Sequence, residues 1–295
     1  MELYLNNQKL SEIINNVNPG DIIYLENKTY KEKIKITKPN LTIIGHEDGS
    51  IIEYDDHFNT IGGNNQELMT VRTYTMMIAA DNVTLKNLTI KNTATPSDIY
   101  GQAVALHVLG DNFKAENVKI CGAQDTLLCG PIPYDLTIRY QKLLPLDELT
   151  QKKSHQYYNN CYIEGDIDFI FGCGIAYFEN CQIHSLRSGY ASAPAHPEDY
   201  EFGFVFNNCK FTCEKENQTV FLSRPWRDYG QCAVLNSTCQ NHISTKIFNN
   251  WQISREKTCR FSIYNTMDTS NMVSFAKELK EADIKKYTKD NILNS

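Results

Sequence analysis

No apolar run in the 295 residues approaches the roughly 18 that a membrane-crossing helix needs. The opening MELYLNNQKLSEIINNV has no basic stretch followed by an apolar one, so it does not read as an export signal. Basic residues are in the minority: 29 Lys and Arg against 35 Asp and Glu leave a formal charge of -6. That balance excludes broad electrostatic attraction to nucleic acid or to an anionic membrane. No C-x-x-C pair occurs among the 10 cysteines, which removes the usual zinc spacing. A chain this long buries a core without staples, so a small disulfide scaffold is excluded as well. Disorder is ruled out by 41% hydrophobic and 11% aromatic residues. Helical heptads and 34-residue helical repeats are absent, and no linker-like stretch divides the chain.

What the chain does have is a short recurring phrase. Asn87-Leu-Thr-Ile90, Asn117-Val-Lys-Ile120, Asn160-Cys-Tyr-Ile163, Asn180-Cys-Gln-Ile183 and Asn208-Cys-Lys-Phe211 each read Asn, apolar, polar, apolar. This is a turn residue followed by a short strand with alternating faces. The starts are 30, 43, 20 and 28 residues apart, too irregular for helical repeats but suited to stacked strand coils with loops of varying length. One such strand cannot bury its apolar face alone, whereas stacking coil on coil makes a continuous core. The pattern predicts an all-β chain, a parallel β-helix forming a single domain over residues 1–295, expected to be monomeric.

Cys161, Cys181 and Cys209 follow the Asn of their repeats and are expected to form an inward column of buried, reduced thiols. Reduced thiols favour a reducing compartment, so a cytoplasmic location is expected over secretion. Six N-x-S/T sites, at Asn27, Asn40, Asn82, Asn87, Asn217 and Asn236, would matter only in a secreted protein. Open ends of a β-helix need covers. Leu10, Ile13, Ile14 and Val17 fit one face of a short helix stopped by Pro19-Gly20. Met272, Phe275, Ala276 and Leu279 fit a second helical face after the capping-type residues Asp268, Thr269 and Ser270. Both segments are expected to be short capping helices.

Four segments carry candidate chemistry: Gly101-Gln-Ala-Val-Ala-Leu106, Gln124-Asp-Thr-Leu-Leu128, Gly165-Asp-Ile-Asp-Phe-Ile-Phe-Gly172 and Leu222-Ser-Arg-Pro-Trp226. Gln102 and Asp125 are 23 residues apart, Asp125 and Asp168 are 43, and Asp168 and Arg224 are 56, intervals of one or two coils. At about 4.8 Å per coil, residues remote in sequence become a compact polar patch. Each has a bland reading too. Asp, Asn and Gln cap or ladder the turns of a β-helix, and Arg near an aromatic is usually a stacking pair. Asp166 and Asp168 share a face on a straight strand, leaving open which of them acts. Gln124 and Asp125 are adjacent, so both can face one cleft only where the chain bends.

Taken together, the segments resemble the pectin methylesterase family of carbohydrate esterases. The match is close to verbatim in Gln124-Asp-Thr-Leu127 and in Asp168-Phe-Ile-Phe-Gly172. It extends through Gly189-Tyr190, Phe202-Gly-Phe-Val-Phe-Asn-Asn-Cys209 and Tyr287-Thr-Lys-Asp-Asn-Ile-Leu293, and runs from Thr29-Tyr-Lys-Glu32 onward. The resemblance implies a right-handed parallel β-helix. It also implies hydrolysis of C6 methyl esters of homogalacturonan or oligogalacturonides to carboxylate and methanol, with no cofactor or metal. Asp168 would be the nucleophile, and Asp125 the general acid and then the base. Gln102 and Gln124 would serve the oxyanion, and Arg224 would hold Asp168 ionised and oriented. Trp226 would line the sugar cleft, with Tyr190 and Phe248 as further substrate contacts, and Asp166 would be either a bystander or a residue supporting the site from behind. Two close carboxylates should split in pKa, Arg224 lowering that of Asp168 and Asp125 keeping its proton.

The chain departs from the family pattern in places. Ser223 stands where Gly usually precedes Arg-Pro-Trp, which could shift the loop carrying Arg224. Leu128 replaces an aromatic, and Phe248 stands for the first Trp of a segment whose second is Trp251. An extra stretch of about 129–156 follows the Asp125 coil, either as a wall of the cleft or as a tolerated surface insertion. Two other readings use the same residues: a related β-helix esterase or thioesterase, and a catalytically inactive carbohydrate-binding β-helix. The second requires a lost catalytic residue, whereas all five are present. The acidic net charge poses its own question, because the demethylated product is a polyanion. Either the cleft is locally positive around Arg224, or a still-methylated, neutral substrate is favoured.

Overall fold

A computed structural model describes residues 1–5, 8–63, 65–215 and 219–295, so Asn217 lies outside the described residues. The Asn-led phrases stack as the spacing predicts. Two residues after each Asn, positions Thr89, Lys119, Tyr162, Gln182 and Lys210 pair in succession, and Thr238 continues the row. Every pairing between named strands is parallel, from Glu2–Tyr4 on Ile22–Tyr24 to Arg260–Tyr264 on Lys277–Glu278. One face of the resulting β-helix is an 11-stranded sheet running from Glu2–Tyr4 to Lys277–Glu278. A second face contains Thr89–Asn92 and Lys119–Cys121; a third contains Met76–Ile78, Leu106–Val108 and Leu127–Cys129. Two long strands, Tyr162–Gly172 and Gln182–Pro194, run around the corner and belong to both of these faces.

Asparagine occupies the corners because they need a left-handed backbone. Asn82, Asn87, Asn112, Asn117, Asn160, Asn180, Asn208, Asn236 and Asn265 all have positive φ. That conformation costs most L-residues about 1–2 kcal/mol, and Asn tolerates it best after Gly. The side-chain amides then ladder from coil to coil. Asn117 donates to Asn87 at 3.1 Å, Asn160 to Asn117 at 2.6 Å and Asn208 to Asn180 at 2.6 Å. Four of the N-x-S/T asparagines, Asn40, Asn82, Asn87 and Asn236, are such corner residues, which gives them a structural reason to be Asn.

Inside, like residues stack on like. Cys161, Cys181 and Cys209 are buried in one column, and the Cys161 amide donates to the Cys181 sulfur at 3.4 Å. No disulfide joins the described cysteines, and all but Cys213 and Cys239 are buried. The rings of Tyr158, Phe178 and Phe206 form an adjoining stack, with 4.7 Å between successive centroids.

Five short helices occur among the described residues: α1 (Leu10–Asn16), α2 (Ser97–Tyr100), α3 (Tyr134–Tyr140), α4 (Glu281–Ile284) and α5 (Lys289–Leu293). α1 closes the first coil, with Leu10, Ile14 and Val17 buried in the core. Its first turn has no capping side chain of its own. Instead the Glu32 carboxylate accepts from the Leu10 amide at 2.9 Å and the Ser11 amide at 3.0 Å, taking up donors that a helix start leaves free. The helix expected over Met272–Leu279 is not formed. Asp268 accepts from the Ser270 amide and makes a turn, and Lys277–Glu278 pair as a strand with Ser262 and Ile263. The open sheet edge offers hydrogen bonds at once, whereas a short isolated helix is marginal. Met272, Val273, Phe275 and Ala276 still pack on the core, and the terminal helices are α4 and α5.

The corner asparagines give a direct test. Asn180→Ala should lower stability in denaturant unfolding by about 1–2 kcal/mol, from the left-handed backbone and the broken ladder. Asn180→Gly, free to adopt the same φ, should recover more than half of that loss. Equal losses for the two variants would show that the backbone conformation is not what Asn supplies there.

Candidate active site

The corner shared by the two long strands is where the pairing becomes irregular. Strand Tyr162–Gly172 shifts register against Gln182–Pro194 between Gly165 and Ile167 and again between Ile167 and Ile170. Within this irregularity Asp168 has φ +52°, and one coil earlier Asp125 has φ +64°. Neither is Gly or Asn, so the backbone holds strain at both carboxylates, as functional sites commonly do. The bend at Asp125 lets Gln124 and Asp125 both line one cavity. It also separates Asp166 from Asp168. Their expected common face does not survive the bulge: Asp166 turns to Ser97 and Arg187, and Asp168 to Arg224.

Arg224 follows strand Val220–Ser223, and its amide bonds to the Ser192 carbonyl at 3.0 Å. Ser223 leaves that loop in register. It pairs with Ser192, and its hydroxyl reaches the Ser192 carbonyl at 3.4 Å. The guanidinium grips Asp168 with both arms, Nε to Oδ1 at 2.8 Å and Nη2 to Oδ2 at 2.6 Å. Its two faces are covered by aromatic rings, Tyr190 at 3.7 Å and Trp251 at 3.9 Å from the centroids. The planar fork of Arg suits both the bidentate contact and the ring stacking, and Lys could supply neither.

The cavity, about 280 Å³, brings together Gln102, Gln124, Asp125, Asp168, Arg224 and Trp226. The Gln102 and Gln124 side chains have no hydrogen-bond partner among the described residues, and their backbones meet in a parallel bridge. Tyr190 and Phe248 do not line the cavity. Tyr190 packs on Arg224 instead, and Phe248 is fully buried in the core against Phe261, 5.1 Å between centroids. Its backbone bridges Ser223, which turns the ring inward. Trp251, noted only as a pattern match, supplies the aromatic wall that Phe248 does not. Thr70 and Val71 also line the cavity from a one-turn helix that nothing in the sequence marked. Leu136 and Tyr140 enter from α3, so the stretch at 129–156 does wall the cleft. That stretch is anchored by Asp135 to Arg227 at 2.7 Å and by Glu148 to Lys35 at 2.6 Å. Leu128 is buried beneath the wall with Ile132 and Phe171.

Burial dominates the electrostatics. It pushes the Asp125 carboxyl well above the usual carboxylate range, and the neighbouring Asp168 charge adds to this. Burial also raises Asp168, and the Arg224 hydrogen bonds and charge pull it back without reversing the sign. The expected lowering of Asp168 is therefore not found; desolvation outweighs the arginine. Burial raises Asp125 further than Asp168, whose rise the guanidinium opposes. Among the described residues Arg224 is the only cation lining the cavity, and its charge is committed to Asp168. Such a site gathers an arginine-paired carboxylate, a second carboxyl that burial pushes towards its protonated form, and two glutamine amides around one small space.

The Pectinesterase family model matches residues 6–130 and 139–294. The chain belongs to the pectinesterase family. The internal gap in the match, residues 131–138, includes most of α3 in the cleft wall. A pectinesterase of Arabidopsis thaliana is 28% identical over 273 residues, 88% of this chain and 65% of that protein. Pectinesterase 1 of Olea europaea is 29% identical over 277 residues, 90% of this chain and 68% of its own length. The chain thus spans about two thirds of these relatives. Pectin methylesterase from carrot superposes with a TM-score of 0.80 at 20% identity, covering 99% of this chain and 92% of the other. The enzyme from Erwinia chrysanthemi superposes at 0.78 with 23% identity, covering 100% of this chain and 96% of the other. They share the right-handed parallel β-helix.

The buried Asp125 carboxyl links the site to stability. Its pKa is higher folded than unfolded, so its favourable contribution is complete below the unfolded value and fades as pH rises towards the folded one. Asp125→Asn removes this loss. The variant should be more stable than the parent at neutral pH, and the advantage should shrink as pH falls. The gap should close near pH 4, about the unfolded aspartate value. A pH-independent gap in thermal unfolding would refute the assignment.

Proposed function

We propose that this pectinesterase-family chain hydrolyses the C6 methyl esters of galacturonan or its oligomers, releasing methanol. The observation that carries the reading is the bidentate Arg224–Asp168 pair beside the buried Asp125 carboxyl, whose proton affinity burial raises, with two uncommitted glutamine amides facing the same cavity. In support of the same substrate class, a pectin methylesterase with a TM-score of 0.78 and 23% identity was solved in complex with a hexasaccharide.

In this reading Asp168 attacks the ester carbonyl, and the oxyanion forms where the Gln102 and Gln124 amides can donate to it. Collapse of the tetrahedral intermediate expels methoxide, which takes the Asp125 proton and leaves as methanol. Asp125, now ionised, removes a proton from water as that water attacks the acyl–aspartate carbonyl. The Asp168 carboxylate departs, and the sugar acid is released. One group thus acts as acid and then as base. Arg224 keeps the attacking carboxylate ionised and aimed. Trp226 and Trp251 offer ring faces to the sugar. With the guanidinium of Arg224 taken by Asp168, the cavity favours a neutral, esterified residue over a charged product. No observation favours a thioester substrate or a binding role without catalysis.

Incubation with highly methylated pectin should yield methanol without chain shortening. Asp168→Ala should abolish that release. Gln102→Ala should retain a trace, because one oxyanion donor contributes about 10²–10³ in rate. Wild-type turnover by Asp168→Ala would exclude it as the nucleophile, and chain shortening would point to glycosidic cleavage instead. Arg224→Gln should move the acid limb of the pH–rate profile upward, because the guanidinium opposes protonation of Asp168. An unmoved acid limb would separate Arg224 from the ionisation of Asp168.

A further inference from the structure

Strand Tyr162–Gly172 carries another buried carboxylate, two residues from Asp168, that does not line the cavity. Asp166 is 2% exposed. Its Oδ2 accepts from the Ser97 hydroxyl at 2.6 Å and from Arg187 Nε at 2.8 Å, and its Oδ1 from the Ile167 amide at 2.6 Å. Arg187 also donates to the Ser97 hydroxyl and lies 3.5 Å from Asp98. Ser97 and Asp98 form the first turn of α2, and the Gly101 amide closes that turn on the Ser97 carbonyl at 2.8 Å. Gln102 is the next residue. On its other side the chain is pinned by the bridge to Gln124 and by the Ala103 amide on the Gln124 carbonyl at 3.0 Å.

Asp166 is buried, but the Arg187 side chain is 40% exposed, and an ion pair open to water on one side adds little to the stability of a fold. Its strength is geometric: a carboxylate and a planar guanidinium fix the groups they join. Here they join the strand that carries the nucleophile to the short helix that ends at an oxyanion glutamine. We propose that Asp166, clamped by Arg187, is a positioning residue: it holds α2 against strand Tyr162–Gly172 and thereby keeps the Gln102 amide aimed beside Gln124. This rests on the esterase reading above, and gives Asp166 a specific task where the sequence pattern left open whether it was a bystander or a support to the site.

The test is a double-mutant cycle in the full chain, with methanol release from methylated pectin as the readout. Asp166→Asn, close in shape but uncharged, should lower kcat about 10- to 100-fold, less than outright loss of an oxyanion donor, with KM within about twofold. The Asp166→Asn, Gln102→Ala double variant should be no slower than Gln102→Ala alone, because residues that act through one group are not additive. Arg187→Lys should keep more activity than Arg187→Gln. Multiplying losses in the cycle, or an unchanged kcat in Asp166→Asn, would overturn the proposal. Where Asp166→Asn does not fold, Arg187→Gln replaces it in the cycle, with the same two outcomes decisive. Absence of methanol from the wild-type chain is a different failure: it removes the esterase reading, and the proposal with it.

Discussion

Coil-to-coil register is the constraint on which the rest of this molecule depends. Parallel strands about 4.8 Å apart must keep the same residue over the same residue, or every inward side chain turns outward. The corner asparagines hold that register. Their positive φ turns the chain at the same point of each coil, and their amides tie one corner to the next. Because the corners are fixed, Cys161, Cys181 and Cys209 fall in one column and Tyr158, Phe178 and Phe206 in another. Loops between corners are then free to differ in length, and the wall built around α3 is one result.

The site is placed where this regularity fails. Asp125 and Asp168 adopt the left-handed conformation elsewhere given to Asn, and the two long strands slip register beside them. A regular strand would face Gln124 away from Asp125 and turn Asp166 with Asp168. The left-handed bend at Asp125 breaks the first relation and the bulge before Asp168 the second, and together they sort the three acids into separate environments. Asp166 is matched by Arg187, Asp168 by Arg224, and Asp125 has burial without a cation bonded to it. Differences in proton affinity follow from those surroundings, since the side chains are chemically the same.

Much of this was legible beforehand. The Asn phrases contain their own register, and the coil intervals correctly bring Gln102, Gln124, Asp125, Asp168, Arg224 and Trp226 to one cavity. The errors have local causes. Met272, Phe275, Ala276 and Leu279 have helical spacing, but an open sheet edge nearby captured Lys277–Glu278 as a strand. Phe248 occupies an aromatic position of the family pattern, yet its pairing with Ser223 turns it into the core. Arg224 was expected to lower Asp168; the depth of burial, which no sequence states, reversed the net direction. Thr70 and Val71 reach the cavity from a loop without any repeat to place it.

The sequence by itself determined the coil, its corners and the thiol column, because short-range turn chemistry and a repeating apolar pattern suffice for these, and the spacing of its motifs named the polar side chains that meet in the cavity. The lack of long apolar runs and of cation excess narrowed the field from the start. Only the tertiary structure decided which carboxylate meets which arginine, which aromatic lines the cavity and which carboxyl of the pair is raised further by burial. Those are properties of side-chain direction and depth, and both are set where a bulge or a left-handed residue breaks the alternation that a linear pattern assumes.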